Sequence, residues 1–165
     1  MKRLYVVRHS EASWNNKLLS DYERPLKKEG IHDAQQIGSY LYSKKYIPEC
    51  ILYSSAKRTT ETAEIIYNNF NNNSIGLVNH KLLYGASVED TLDIVRAITN
   101  YESIMFVGHN PSITMLINEI SDAKIDHVPT SGTAVIDFES NDDIQNSGKL
   151  VEFVYPKKLN LIKEN

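Results

Sequence analysis

Two histidines stand at the ends of apolar runs. The first run, Leu4-Tyr5-Val6-Val7, passes straight into Arg8-His9-Ser10 with no helix signal between them. The second, Ile104-Met105-Phe106-Val107, ends in Gly108-His109-Asn110-Pro111. A guanidinium beside an imidazole suits an anion, because Arg offers a planar fork of donors to phosphate oxygens and a neutral imidazole nitrogen can attack phosphorus. Asn110 reads as a helix N-cap and Pro111 as the first helical residue. His109 is thus set beside a helix N-terminus, whose free N–H groups favour negative charge. Either histidine alone would read equally well as a strand running into a polar loop. The pair points to phosphoryl chemistry.

Phosphoryl transfer asks a protein mostly for positioning and for charge around the transferring oxygens. Arg58, in Ser54-Ser55-Ala56-Lys57-Arg58, falls in a first helical turn that leaves a strand end. A cation there is mildly unfavourable, and a bound phosphate offsets that. Arg8, Arg58 and His109 therefore supply the charge, with Arg24 as a fourth that has a rival reading as the ion-pair partner of Asp21 or Glu23. His9 is the expected nucleophile, attacking in its neutral form through one ring nitrogen while a carbonyl or carboxylate holds the other. His32, His80 and His127 lack strand-end context and read as surface histidines. No histidine spacing suits a metal, so neither metal nor cofactor is expected.

The elements that must carry these residues alternate. Residues 2–7 read as a central strand, and Ser10–Glu23 as a polar loop in which Trp14 is expected to anchor against the domain rather than cover a ligand. Ile31, Ala34, Ile37 and Leu41 mark a helix that ends before Ile47-Pro48. Cys50–Ser54 is a strand, followed by a helix with Ala63, Ile65, Ile66 and Phe70 inside. A weaker strand at Ile75–Val78 leads to a loop, then to a helix capped by Ser87 with Asp90 as its capping-box partner. Strand Ser103–Val107 and helix Pro111–Ile120 present His109. Thr133–Phe138 and Leu150–Tyr155 form a hairpin, with at least one strand antiparallel to the rest, across the polar loop Glu139–Gly148. One domain over residues 1–156 and a tail over 157–165 are expected.

Composition narrows the classes. A chain of 165 residues fits one self-sufficient core. A net charge of -3, with Lys and Arg dispersed, gives no reason to expect nucleic acid. The single cysteine, Cys50, reads as a small buried hydrophobe, and the Cys-to-Arg spacing of cysteine phosphatases fails because Ala56 stands at that place. The N-terminal apolar run breaks at Arg8 and no segment approaches twenty apolar residues, so neither a signal peptide nor a membrane span is expected and the chain reads as cytoplasmic.

With Arg8-His9 and Gly108-His109 in hand, the sequence resembles the histidine phosphatase superfamily, and most of all its short bacterial branch of SixA-type phosphohistidine phosphatases. Further matching segments are Asp21-Tyr22-Glu23-Arg24-Pro25-Leu26 with Gly30, Ser54 to Ala63, and Pro129-Thr130-Ser131-Gly132-Thr133-Ala134-Val135. The resemblance implies a phosphoglycerate mutase-like three-layer α/β sandwich: a mostly parallel central sheet, helices on both faces and an antiparallel C-terminal strand. It implies a phospho-His9 intermediate, a phosphate site of Arg8, Arg58, His109, Arg24, Ser10 and Asn110, no cofactor, and a phosphohistidine-bearing protein as partner. A monomer is compatible with this, although no oligomeric state follows. Two departures matter. Ser10 stands where the superfamily usually has Gly, and a small hydroxyl there could donate to phosphate. Larger members place a carboxylic acid in the loop after the third strand, whereas Lys81-Leu82-Leu83-Tyr84-Gly85-Ala86-Ser87 has none. That favours a good leaving group such as the imidazole of phosphohistidine over an ester. The other readings are a small-molecule phosphatase, a mutase, which would need longer insertions and the acid, and a phosphate-binding module without turnover.

Overall fold

The computed structural model describes residues 2–98, 100–139, 144 and 147–163. Six strands form one sheet: β1 (Arg3–Arg8), β2 (Cys50–Ser54), β3 (Gly76–His80), β4 (Ser103–Gly108), β5 (Thr133–Asp137) and β6 (Lys149–Val154), in the order β3-β2-β4-β1-β5-β6. β1 to β4 pair in parallel, and β5 runs antiparallel to both β1 and β6. Helices α1 (Lys28–Ser43), α2 (Lys57–Phe70) and α5 (Pro156–Lys163) pack on one face, and α3 (Val88–Ala97) and α4 (Ser112–Ile120) on the other. This is the expected mixed α/β sandwich. Among the described residues no helix is long and apolar enough to cross a membrane.

Alternation along β1 splits the core in two. Leu4 and Val6 face α3 and α4, together with Leu52, Ile104 and Phe106, while Tyr5 and Val7 face α1 and α2 with Ile51, Met105 and Val107. Because β1 and β4 are covered on both sides, the four residues before each lip are apolar throughout. The register Arg8↔Gly108 and Tyr53↔Val107 brings the C-terminal ends of three strands level, so the residues leaving them share one edge.

Several boundaries differ from expectation. The inward stripe of α1 is Gly30, Ala34, Ile37, Gly38 and Leu41, and Ile31 is 41% exposed. The helix lies so close to the Glu11 backbone that only glycine fits at 30, and with that position turned inward Ile31 faces outward. β3 runs on to His80, so this histidine ends a strand, opposite Ser54, with Nδ1 buried and unpartnered. α4 begins one residue late, at Ser112, although Asn110 still caps it: Oδ1 accepts from the Thr114 N–H and hydroxyl at 3.2 and 3.0 Å. The Ser87/Asp90 capping box of α3 forms as read. Residues expected as a tail open with α5, because Leu159 finds a place in the α1–α2 core and is buried there. Ser140–Asp143, Gln145 and Asn146 of the loop read between the last two strands lie outside the described residues, and Ile144 is buried.

Candidate active site

The two strand ends bring their histidines together. The His9 and His109 rings lie 5.3 Å apart between centroids, tilted by 59°. His9 Nδ1–H donates to the Ser10 carbonyl at 2.7 Å, which leaves Nε2 as a lone pair. That nitrogen accepts a long 3.3 Å contact from Arg58 Nε. Burial first, then the charges of Arg58, Arg8 and Arg24, hold the His9 pKa at about 4 against the backbone hydrogen bond that favours the cation. Burial, Arg58 and His9 together push His109 down to about 3. Both imidazoles are neutral at pH 7.

His109 is anchored from the neighbouring strand: the Ser54 hydroxyl lies 2.8 Å from its Nε2, and its Nδ1 is buried without a partner. The two rings therefore differ: His9 keeps a lone pair at Nε2, and His109 stands beside it, held through Ser54.

Around them stand three guanidiniums and one carboxylate. Arg58, in the first turn of α2, donates from Nη1 to the Asp21 carbonyl at 2.7 Å and from Nη2 to Asp21 Oδ2 at 3.0 Å. Arg24 donates to Asp21 Oδ1 at 2.9 Å and to the Ser13 carbonyl, so its pairing with Asp21 is as read. Tyr84 completes the cluster, its hydroxyl 2.8 Å from Asp21 Oδ2 and its ring edge-on to His109 at 5.7 Å. Burial raises the Asp21 pKa, but Tyr84, Arg24 and Arg58 outweigh it and bring it to about 2. Arg8 is held by neutral acceptors, the Val128 carbonyl at 2.8 Å and His127 Nε2 at 3.1 Å, and its Nε is buried and unpartnered. The cations exceed Asp21 by two charges, which makes the hollow an anion site. Among the described residues no cluster could hold a metal ion.

The remaining expectations fare differently. Ser10 is sealed in, its hydroxyl 2.5 Å from Ser131 Oγ and its N–H on Thr62 Oγ1, so it braces the loop under His9 and faces no ligand. Asn110 spends its amide on the Val128 carbonyl and its oxygen on α4, which ties the His109 loop to the stretch before β5. Trp14 is 72% exposed rather than packed, with the Arg24 guanidinium 3.1 Å above its ring. His32 lies on the surface as read, while His127 is exposed yet touches Arg8. Asp21, Tyr84, Ser54, Thr62 and Ser131 were not singled out for these contacts. Ser131 sits at φ 61° with its N–H on the His9 carbonyl, a strained backbone retained beneath the site. Every one of the five lies within or beside the motifs already quoted, but the contacts cross 37 to 121 positions of chain.

The mixed sheet and its lip of two histidines define an α/β protein of the phosphoglycerate mutase-like class. The sequence profile of the histidine phosphatase superfamily (branch 1) matches residues 4–80. A phosphohistidine phosphatase SixA structure from Agrobacterium tumefaciens is 31% identical, covering 94% of this chain and 98% of that one, at a TM-score of 0.81. The chain belongs to the histidine phosphatase superfamily. An alpha-ribazole-5'-P phosphatase from Escherichia coli, 16% identical over 95% of this chain and 98% of its own, shares the fold at a TM-score of 0.69. A chloroplastic protein of Arabidopsis thaliana is 43% identical over 61 residues, which is 37% of this chain and 28% of the plant protein's length.

Proposed function

We propose that this protein is a phosphatase that passes through phospho-His9 and takes phosphohistidine on a protein as its substrate. The carrying observation is the lone pair of His9 Nε2, deprotonated by design of its surroundings and set among three guanidiniums. The substrate phosphoryl group enters the hollow and displaces the long Arg58–His9 contact. His9 Nε2 attacks phosphorus, the P–N bond of the substrate breaks, and its imidazole leaves with the electron pair and takes up a proton from water. Charge on the equatorial oxygens meets Arg8, Arg58 and the His109 ring. Water then attacks phospho-His9, releasing inorganic phosphate and the free imidazole.

The carboxylate of the site is not available as an acid for the leaving group, which favours this substrate class. The carboxylate nearest the chemistry, Asp21, is ionised down to a pKa of about 2 and bound on three sides, so it has no proton to give. The imidazole of phosphohistidine takes its proton from water on the ring nitrogen away from phosphorus and leaves as a neutral base, whereas an ester oxygen needs an acid at the leaving atom itself. The likeness in fold to the alpha-ribazole-5'-P phosphatase supports a second reading, a small-molecule ester phosphatase using the same His9. Turnover of a phosphohistidine protein against simple phosphate esters separates the two. Faster ester hydrolysis overturns the first. Labelled substrate should trap an acid-labile, base-stable phosphoenzyme that disappears in His9→Ala.

A further inference from the structure

The catalytic hollow does not end at His109. On its α3 side the ring forms one wall of a cavity of about 190 Å³, with Leu83, Ala86, Phe106 and Pro111 among the other walls. Gly85 and Ala86 also line a second, shallower depression of about 360 Å³, which continues over Leu82 and Ile94 to Asp90 and Asp93 on α3. A groove therefore leads from the second histidine, across the Gly85–Ala86 turn, onto an exposed helix face. The turn leaves it open: Gly85 sits at φ 79° with nothing within 4 Å of the place a Cβ would take. Leu82 is 72% exposed at the edge of the groove.

We propose that this groove docks the chain of the phosphohistidine-bearing partner, taking an apolar side chain near the phosphohistidine into the cavity and a Lys or Arg further along onto Asp90 and Asp93. This rests on the reading of the substrate given above and names the part of it that the phosphate site does not touch. Two features select this occupant. The cavity shares the His109 ring with the hollow as a wall, so a chain whose phosphohistidine is in place lies beside it. Its charge is also opposite to that of the hollow: the charged side chains that line it are Asp90, which holds Ser87, and Asp93. Together they outweigh Arg96, paired with Asp93 at 3.3 Å, whereas the hollow is ringed by Arg8, Arg24 and Arg58. A substrate that is anionic at the phosphoryl group and cationic beside it meets complementary charge at both points, and one that is anionic throughout does not. A small phosphoramidate reaches the hollow alone.

Two fluorescent helical peptides test this, each with one histidine and a leucine four positions away. One continues with two lysines and the other with two glutamates. The expected result is that the unphosphorylated lysine peptide binds at least about tenfold more tightly, by anisotropy at low salt, and that Asp93→Lys removes the preference. With the peptides phosphorylated, Leu82→Glu should lower kcat/KM for the lysine peptide about tenfold and leave free phosphohistidine unchanged. Equal binding of the two peptides, or a Leu82→Glu loss shared by free phosphohistidine, overturns the groove. Failure of the wild type to turn over any phosphohistidine compound overturns the substrate reading instead, and the anisotropy result stands apart from it.

Discussion

Strand β1 carries an arginine at each end, and the two are treated in opposite ways. Arg3, its first residue, donates from Nε and Nη2 to the two oxygens of Asp137 at 2.5 and 2.7 Å and lies 5.2 Å over the Tyr46 ring. The Asp137 hydrogen bonds hold its pKa above the ordinary value. Arg8, its last residue, touches the neutral Val128 carbonyl and His127, and burial pushes its pKa down. A cavity of about 420 Å³ adjoins the Arg3 end, where Asp137 meets the charge of Arg3 and Glu102 that of Lys2 at 3.0 Å. Room alone therefore does not mark a site. What marks it is a half-buried cation that the protein leaves without a counter-ion, since that group is costly until an anion arrives.

The sharpest way to break this contrast is to remove Arg8. Arg8→Ala should lower kcat/KM on phosphohistidine by about 10²- to 10³-fold, the usual loss for one preorganised donor to a transferring oxyanion. The same change should leave the melting temperature of the ligand-free protein unchanged or higher, because it deletes an uncompensated charge. Steady-state kinetics and thermal melts check the two halves. A variant that melts well below the wild type would place Arg8 with Arg3 as a structural residue.

The histidines extend the argument to pH. Burial and the neighbouring arginines hold His9 at about 4 and His109 at about 3, below the ordinary value of about 6.5. The unfolded chain therefore binds more protons than the folded one once pH drops below about 6.5, and ligand-free stability is lost from there toward about 4. Catalysis needs His9 neutral, so kcat/KM should stay level to about pH 5 and fall as pH approaches 4. Arg8→Ala should move that acid limb upward, because one of the charges that depress His9 is gone. A wild-type limb near 6.5, read from the pH–rate profile, would mean that the hollow is neither dry nor cationic.

Asp21 sits between the two regimes: it neutralises part of the cation cluster and leaves the rest. Asp21→Asn should lower kcat roughly tenfold, because Arg58 loses the carboxylate that grips its Nη2 and so holds its Nε toward the His9 lone pair. It should at the same time tighten tungstate or phosphate binding, because the hollow gains one positive charge. Isothermal titration beside steady-state kinetics reads both directions. A fall in both affinity and rate would make Asp21 a mere packing residue.

The strand ends were legible because they are local: an apolar run that stops at Arg-His or Gly-His states both the strand and its lip. Arg58 was legible because one helical turn separates it from Ser54. The contacts that decide the electrostatics were not. Asp21 reaches Arg58 across 37 positions and Tyr84 across 63, and no local pattern says which of several acids in a polar loop will do so. Ser10 was read as a phosphate ligand from its place beside His9, and its side chain turned instead to Ser131, a partner 121 residues away. His80 reads as a loop residue because the apolar pattern stops at Val78, while pairing with β2 carries β3 two residues further. The stripe on α1 was misread at Ile31 because hydrophobicity cannot reveal that backbone contact demands Gly30.

The smallest effect completes the comparison from the structural end. Arg3→Ala leaves the Asp137 carboxylate without its partner, but that side chain is 40% exposed and water takes over much of the loss. The cost should be about 1 kcal/mol, a drop of about 2–4 °C in melting temperature, with kcat/KM within about twofold of wild type. Adding Asp137→Ala should cost less than the two single changes summed, because the two groups then leave together and neither stays unpaired. At the other end of β1 no acid among the described residues pairs with Arg8, so no such cycle can be built there. On the proposed function the partner that completes Arg8 is the phosphoryl group, which has to come from outside.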